Sequence, residues 1–210
     1  MLSIQELFNE AKRNGIHKLI LTDINNTSGY IELLRICREQ RKEWELDIGV
    51  GIEFRENNKL LYIGLALNNH GFEELNRYLS FHKRTSKLLP KRAPEFEQAY
   101  IVYPIHSIPE RLRENEWIGI RQQELNKIVL SPYRKFIHKM VAWQPVTFHP
   151  DTKGSSASTR SFNIHRLLRS IGENTLLSKL PAELQAQPSE VMLSERDFRM
   201  IFKNFPDLIR

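Results

Sequence analysis

Asp23 and Glu53 are the residues on which a reaction would turn. Asp23 follows the apolar run Leu19-Ile20-Leu21-Thr22 and opens the polar stretch Ile24-Asn25-Asn26-Thr27-Ser28-Gly29, while Glu53 lies near the end of a second apolar run, Asp47 to Phe54. An apolar run that empties into Asp, Asn, Ser and Gly reads as a buried strand ending in a loop, and α/β folds carry their sites at the C-terminal ends of parallel strands. Two carboxylates on one such rim can share a divalent cation. They are equally consistent with carboxylates that accept hydrogen bonds from loop amides.

Periodicity supplies the elements that must position them. Ser3 caps a helix that runs to about Asn14, with Ile4, Leu7, Phe8 and Ala11 in one stripe, Glu6 placed for a capping box and Gly15 as the stop. The strand Leu19 to Thr22 leads to a second amphipathic helix, capped by Ser28 or Thr27 and running to about Trp44, which presents Ile31, Leu34, Ile36 and Cys37. With the strand Asp47 to Phe54 this makes a βαβ unit with parallel strands and a right-handed crossover. Gly49 and Gly51 within that strand mark a bulge or a close backbone approach. Lys59 to Leu67 is a returning strand of open register, and His70-Gly71 precedes a helix carrying Phe72, Leu75, Tyr78, Leu79 and His82. Strands at Tyr100 to Tyr103 and Trp117 to Ile120 follow, with a helical turn over Pro109 to Arg113 between them and the helix Gln122 to Val129 after Arg121. Met140 to Phe148 is the last strand. The repeated strand-then-helix passage predicts a barrel-like α/β fold.

Beyond it, the Ser/Gly-rich connection 151–160 reads as a flexible loop, and 161–210 as C-terminal helices. One, Phe162 to Ser170, sets Ile164, Leu167, Leu168 and Ile171 on one face; after a link through Pro181 and Pro188, Ser194 caps another carrying Phe198, Ile201 and Phe202.

At 210 residues, 40% hydrophobic and 27% charged, the chain fits a single globular domain over 1–210 with its barrel core in 1–150. No apolar run approaches the roughly 20 residues that span a bilayer and no N-terminal signal is visible, so the expected compartment is the cytoplasm, without a membrane partner. The single cysteine, Cys37, excludes an internal disulfide and reads as a small packed side chain. The net charge of +6, from 31 Lys and Arg against 25 Asp and Glu, is compatible with a phosphate backbone nearby and too modest to establish one. Its densest segment holds Lys83, Arg84, Lys87, Lys91 and Arg92, broken by Pro90 and Pro94. A solvated loop is the first reading of it and a nucleic-acid contact the second.

The unit AKRNGIHKLILTDINNTSGYIELLRICREQ, continued by LDIGVGIEF, resembles the polymerase and histidinol phosphatase (PHP) domain found at the N-terminus of the bacterial replicative DNA polymerase, the C-family polymerase III alpha subunit. The segments NEWIGIRQQELNKIVLSPYRKFIHKMVAWQPVTF and NIHRLLRSIGENTLLSKLP resemble later parts of that domain, so the likeness spans most of the chain. It is nearest to a variant branch that reads LTDINNTSG where the family has TDH. The resemblance implies a distorted (β/α) TIM-like barrel. In active members a cluster of divalent metals sits at the C-terminal rim, where it polarises phosphoryl oxygens and activates water. Its ligands come from an H-x-H on the first strand, the histidine of T-D-H, a glutamate after the next strand, single later histidines and a D-x-H near the end.

Carried over position by position, most of that set is missing. Met1-Leu2-Ser3 falls where the family's first helix begins, so the H-x-H strand is absent and the resemblance implies a barrel without its first strand, open at one edge. Ile24 stands at the histidine of T-D-H, Asp23 matches its neighbour, and Glu53 matches the glutamate. The closing D-x-H falls near Val146 to Asp151, where the letters run His149-Pro150-Asp151. Among the remaining histidines His70 and His106 sit at loop starts and are the candidates for replaced ligands; no other ligand spacing, P-loop, G-x-S-x-G elbow or dinucleotide fingerprint occurs.

The expectation is therefore a PHP domain of the polymerase type with vestigial Asp23 and Glu53, no catalytic residue and no cofactor, serving as a structural or docking domain. Its expected partners are the rest of the polymerase alpha chain, a proofreading exonuclease subunit, and DNA indirectly. The rival is a metal-dependent phosphoesterase or 3′-5′ exonuclease that holds Zn, Mn or Mg on Asp23, Glu53 and His149. A nucleic-acid module built on Lys83 to Arg92 is the third reading.

Overall fold

The computed structural model describes residues 2–129, 132–151 and 156–209, so 152–155 of the Ser/Gly-rich connection lie outside the described residues. The chain divides into two compact units, Met1–Ile16 with Gln144–Phe198, and His17–Trp143 with Arg199–Arg210.

The larger unit is built on six strands, β1 (Lys18–Ile24), β2 (Asp47–Glu56), β3 (Lys59–Ala66), β4 (Ala99–Pro104), β5 (Glu116–Ile120) and β6 (Met140–Ala142), which pair in sequence order as one sheet. The sheet curls into half of a barrel with helices around it, a partial form of the expected (β/α) architecture. Strands β1 and β2 are parallel, as are β4, β5 and β6; β3 runs against both its neighbours, which settles the register left open for Lys59 to Leu67. Because β1 is the first strand in the order, one of its edges has no sheet neighbour among the described residues, and Ile20 and Ile24 stay about half exposed, at 50% and 45%. The buried strand expected at Leu19 to Thr22 is instead an edge strand.

Alternation along the strands sorts side chains to two faces. Ile52, Phe54, Tyr62, Ile101 and Tyr103 meet Leu75 and Leu79 of the helix between β3 and β4. Leu60, Ile63 and Val102 lie on the other face, packed by Leu65, Trp117, Val141 and Trp143. Gly51 answers the close approach expected of it, since a Cβ there would lie 2.5 Å from the carbonyl oxygen of Gly64 on the adjacent strand. The irregularity in the β2–β3 pairing falls later, between Phe54 and Arg55.

Helix α1 (Ile4–Arg13), in the smaller unit, has both halves of the capping box between Ser3 and Glu6. Helix α2 (Ser28–Glu39) ends five residues before Trp44, and it buries Leu33, Ile36 and Cys37 while Ile31 is 60% exposed. Helix α3 (Asn69–Thr85) starts earlier than expected, because the Asn68 side chain accepts a hydrogen bond from Gly71 N and takes His70 into the first turn. The turn expected over Pro109 to Arg113 is found instead at Ile105–Ser107, and the helix after Arg121 is a 3-10 turn, Gln122–Glu124, running into α4 (Leu125–Val129). The last strand is cut to Met140–Ala142. Pro145 has no N–H to continue a ladder, and beyond it Thr147 and Phe148 donate to the carbonyl of Glu190 instead.

In the smaller unit helix α5 (Thr159–Gly172) is capped by Ser158, and Phe148, Ala157 and Val191 form a core against Phe162, Ala186 and Leu193. Ser194 caps α6 (Glu195–Ile201) as expected, with its hydroxyl accepting from Asp197 N at 3.2 Å. Among the described residues no helix is long and apolar enough to cross a membrane.

Candidate functional site

The loop after β1 spends its polar side chains on architecture. Asp23 accepts a hydrogen bond from Gly29 N at 2.9 Å and so caps α2 from the strand below, while the side chain of Thr27, at the cap position itself, accepts no N–H of the helix. This is the carboxylate-to-loop-amide alternative, with the acid set at the positive end of the helix. Asn26 Oδ1 accepts from the N–H groups of Thr27 and Ser28, and Thr27 Oγ1 donates to Asn76 Oδ1 of α3 at 3.0 Å. Asn25 takes a left-handed backbone, φ 47°. From there its N–H donates to Glu53 O, its amide nitrogen donates to Arg55 O at 2.8 Å, and its amide oxygen accepts from Arg55 N at 2.9 Å. One asparagine thereby extends the β1–β2 ladder past the end of the strand.

Glu53 is committed in the same way. Arg55 lies two residues along β2, and its Nε and Nη2 donate to Glu53 Oε2 at 3.0 and 2.6 Å, with both side chains largely buried. Such a pair is a strong charge-assisted contact and draws the carboxylate's charge toward the guanidinium. Register separates Glu53 from Asp23. Asp23 pairs with Ile52 and Ile24 pairs with Glu53, so Asp23 points to the α3 side of the sheet while Ile24 and Glu53 are neighbours on the opposite face. The position at which the resemblance puts the T-D-H histidine thus lies beside the one at which it puts the glutamate, and it holds an isoleucine.

The histidines are dispersed. His106 follows β4 at the same end of the sheet as Glu53. Partial burial lowers its pKa, Glu124 works against that, and the charges of Lys59, Arg121 and Lys127 add to it. A ring surrounded by three cations is a poor place for a fourth positive charge. His70 is in the first turn of α3, which leaves β3 at its C-terminal end; since β3 is antiparallel to β2, His70 is at the other end of the sheet from Glu53. There it lines an open cleft of about 490 Å³ with Asn68, Glu73, Glu74, Arg77, Glu97 and Gln98. In the smaller unit His149 sets Nε2 3.1 Å from Glu6 Oε1 and Nδ1 3.3 Å from Glu10 Oε1. Hydrogen bonds from Ser3 N–H and Ser3 Oγ, and then from His149, bring the Glu6 pKa down to about 2. Among the described residues, no three or more His, Cys, Asp or Glu come together in a way that could hold a metal ion.

The basic segment splits. Lys83 and Arg84 are exposed in the last turn of α3, where they offset the helix dipole, and Lys87 lies over the Phe81 ring at 5.3 Å. Lys91 is exposed, whereas Arg92 reaches back to Arg111 O and to Glu116. Glu116 is a residue that sequence reasoning missed: fully buried, it accepts hydrogen bonds from Arg92, Arg113 N, Arg113 Nη1 and the Tyr103 hydroxyl. Burial pushes that Tyr103 hydroxyl up to about 12. The spacing Arg113-x-x-Glu116 was its only trace in the sequence.

Such a sheet, with five strands running one way and their C-terminal ends gathered on one rim, defines a partial α/β barrel. Residues 1–118 match the PHP domain, which is more than half of the chain, and the protein belongs to the PHP domain family. No curated protein matches the chain.

Proposed function

We propose that this is a catalytically silent PHP domain, acting as a structural or docking domain at the N-terminus of a bacterial replicative DNA polymerase in the cytoplasm. On this reading it takes part in DNA replication through its partners: the remainder of the polymerase alpha chain, a proofreading exonuclease subunit, and DNA indirectly. The observation that carries the silent part is the clasp of Arg55 on Glu53 beside Ile24. A divalent cation at Glu53 would have to displace a guanidinium held at 2.6 Å and would find an aliphatic side chain where its next ligand should be. The polymerase assignment rests on the likeness of LTDINNTSG and the later segments to that branch of the family.

Metal content of the purified chain after dialysis against Zn, Mn or Mg, together with hydrolysis of a nitrophenyl phosphate ester, tests the reading. The expected result is metal well below one equivalent per chain and no turnover. Near-stoichiometric metal with turnover lost in Glu53→Gln would establish the phosphoesterase instead. Neutralising Lys83, Arg84, Lys87 and Lys91 together is expected to leave DNA binding unchanged; a steep, salt-dependent loss would favour the nucleic-acid module.

A further inference from the structure

We propose that the C-terminal rim of the half-barrel binds a phosphate-type dianion through side chains and without a metal, its holders being Lys59, His106, Arg121 and Lys127. Strand register brings three of them into one row. Since β3 runs against β4, the start of β3 lies at the same end of the sheet as the end of β4. Carried past the pair Ile63 and Val102, the antiparallel register sets Lys59 level with His106; carried past Pro104 and Gly119, the parallel register of β4 and β5 sets His106 level with Arg121. Lys127 joins them from α4, and the charges of Lys59, Arg121 and Lys127 all reach the His106 ring. The guanidinium of Arg121 is fixed over the Trp143 ring, 4.1 Å from its centroid. All of these residues belong to the larger unit.

Charge selects the ligand. Around His106 the three cations meet one acid, Glu124, whose carboxylate already accepts from Arg121 N at 3.0 Å. Glu53 is balanced by Arg55, and Glu56, opposite Lys59 in the β2–β3 pairing, turns its carboxylate to Leu89 N at 2.8 Å. Lys59 and Lys127 are exposed, and neither forms an ion pair among the described residues. The excess of two positive charges repels a divalent cation and matches a dianion better than a lone carboxylate. Phosphate oxygens can accept from a guanidinium and two ammonium groups together, and a neutral imidazole adds one N–H. Lys59, Arg121 and Lys127 stand in none of the family's ligand motifs, and Arg121 and Lys127 lie beyond the residues that match the PHP domain. The inference is independent of the polymerase role and shares with the silent reading only a rim without metal.

Calorimetric titration of the 210-residue chain with inorganic phosphate in excess EDTA is expected to give one saturable site with a Kd of about 1 mM or tighter. Lys59→Gln with Lys127→Gln should weaken it about tenfold or more, while Lys83→Gln with Lys87→Gln, which removes the same charge from α3, leaves it unchanged. The His106 ring, followed by NMR, should take up its proton at a higher pH once phosphate is bound, because the dianion offsets the neighbouring cations. Phenyl phosphate competing for the site would identify a monoester's phosphoryl group as the ligand, and its exclusion free phosphate; either supports the proposal. No saturable heat, equal weakening by the α3 pair, or binding that EDTA abolishes and manganese restores overturns it. The last of these would break the silent reading as well, whereas the first two leave that reading intact. A 5′-hydroxyl oligonucleotide that binds where free phosphate does not would make the rim a nucleic-acid contact and overturn the proposal too.

Discussion

In α3 the apolar residues at helical spacing, Leu75 and Leu79, are buried against the sheet, and the charged residues Glu73, Arg77, Lys83 and Arg84 face water. In α5 the residues at that spacing, Ile164, Leu167, Leu168 and Ile171, face water while Phe162, His165 and Ser170 turn inward. The difference lies in what the second face of each helix is made of. The far side of α3 is charged, and burying it unpaired would cost several kcal/mol, so only one orientation is open. The far side of α5 holds an aromatic ring with the Arg166 guanidinium over it at 5.7 Å, an imidazole that accepts from Ala186 N, and a serine whose hydroxyl donates to Leu167 O at 2.8 Å. Both faces of α5 can be buried. Spacing identifies residues that share a face, and the polar partners of the other face decide which way the helix turns.

Truncations sharpen this contrast. Leu75→Ala should cost about 3 kcal/mol in urea unfolding, because Leu75 is fully buried in the core beside Gly64 and Phe54 and its truncation leaves a cavity. A cost below about 1 kcal/mol would mean that α3 is not the anchored member of the pair. Gly71→Ala comes next, at about 2 kcal/mol, since a Cβ at that position would sit 1.8 Å from the carbonyl oxygen of Gln98 and force the first turn of α3 off the chain leading into β4.

Acid should act on α5 through His165. Burial, and then the charge of Arg169, lowers the His165 pKa, so the unfolded chain takes up its proton at a higher pH than the folded one does. The stability it contributes is complete above the ordinary histidine value of about 6.5 and is lost as pH falls through the depressed folded value. Urea midpoints measured from pH 7.5 downward should decline for the natural chain and flatten over this range in His165→Gln; equal slopes would show that the inward face of α5 is not held by a neutral imidazole. The smallest effect belongs to Leu168→Gln, within about 0.5 kcal/mol of the natural chain. A loss as large as that of Leu75→Ala would erase the contrast between the two helices.

Much of the secondary structure in both units could be read in advance because its signals are local. Ser3 with Glu6, and Ser194 before Glu195, announce helix starts through side chains that bond within one turn. The runs ending at Thr22 and Phe54 announce parallel strands. What could not be read depends on partners far away in sequence. Whether Ile20 and Ile24 are buried depends on the strand order, which leaves β1 at an edge. That Met140 to Phe148 stops after Ala142 depends on Gln144 donating to Ser189 O and Val191 O, more than forty residues on. Within the site, the residue types at 23, 24 and 53 were legible from the family pattern. The clasp of Arg55 and the bridging amide of Asn25 were not, since neither residue belongs to any ligand motif. The opposed directions of Asp23 and Glu53 needed the strand register.

Asn25 limits what the rim can hold. Its left-handed backbone suits asparagine and glycine and resists most other side chains, and its amide seals two strands at the spot where an open cup would be needed. A histidine placed at position 24 would therefore meet a closed seam, next to an acid already held by an arginine. On the reading proposed above, a metal site at this rim would call for change at three neighbouring positions, 24, 25 and 55, and not at one.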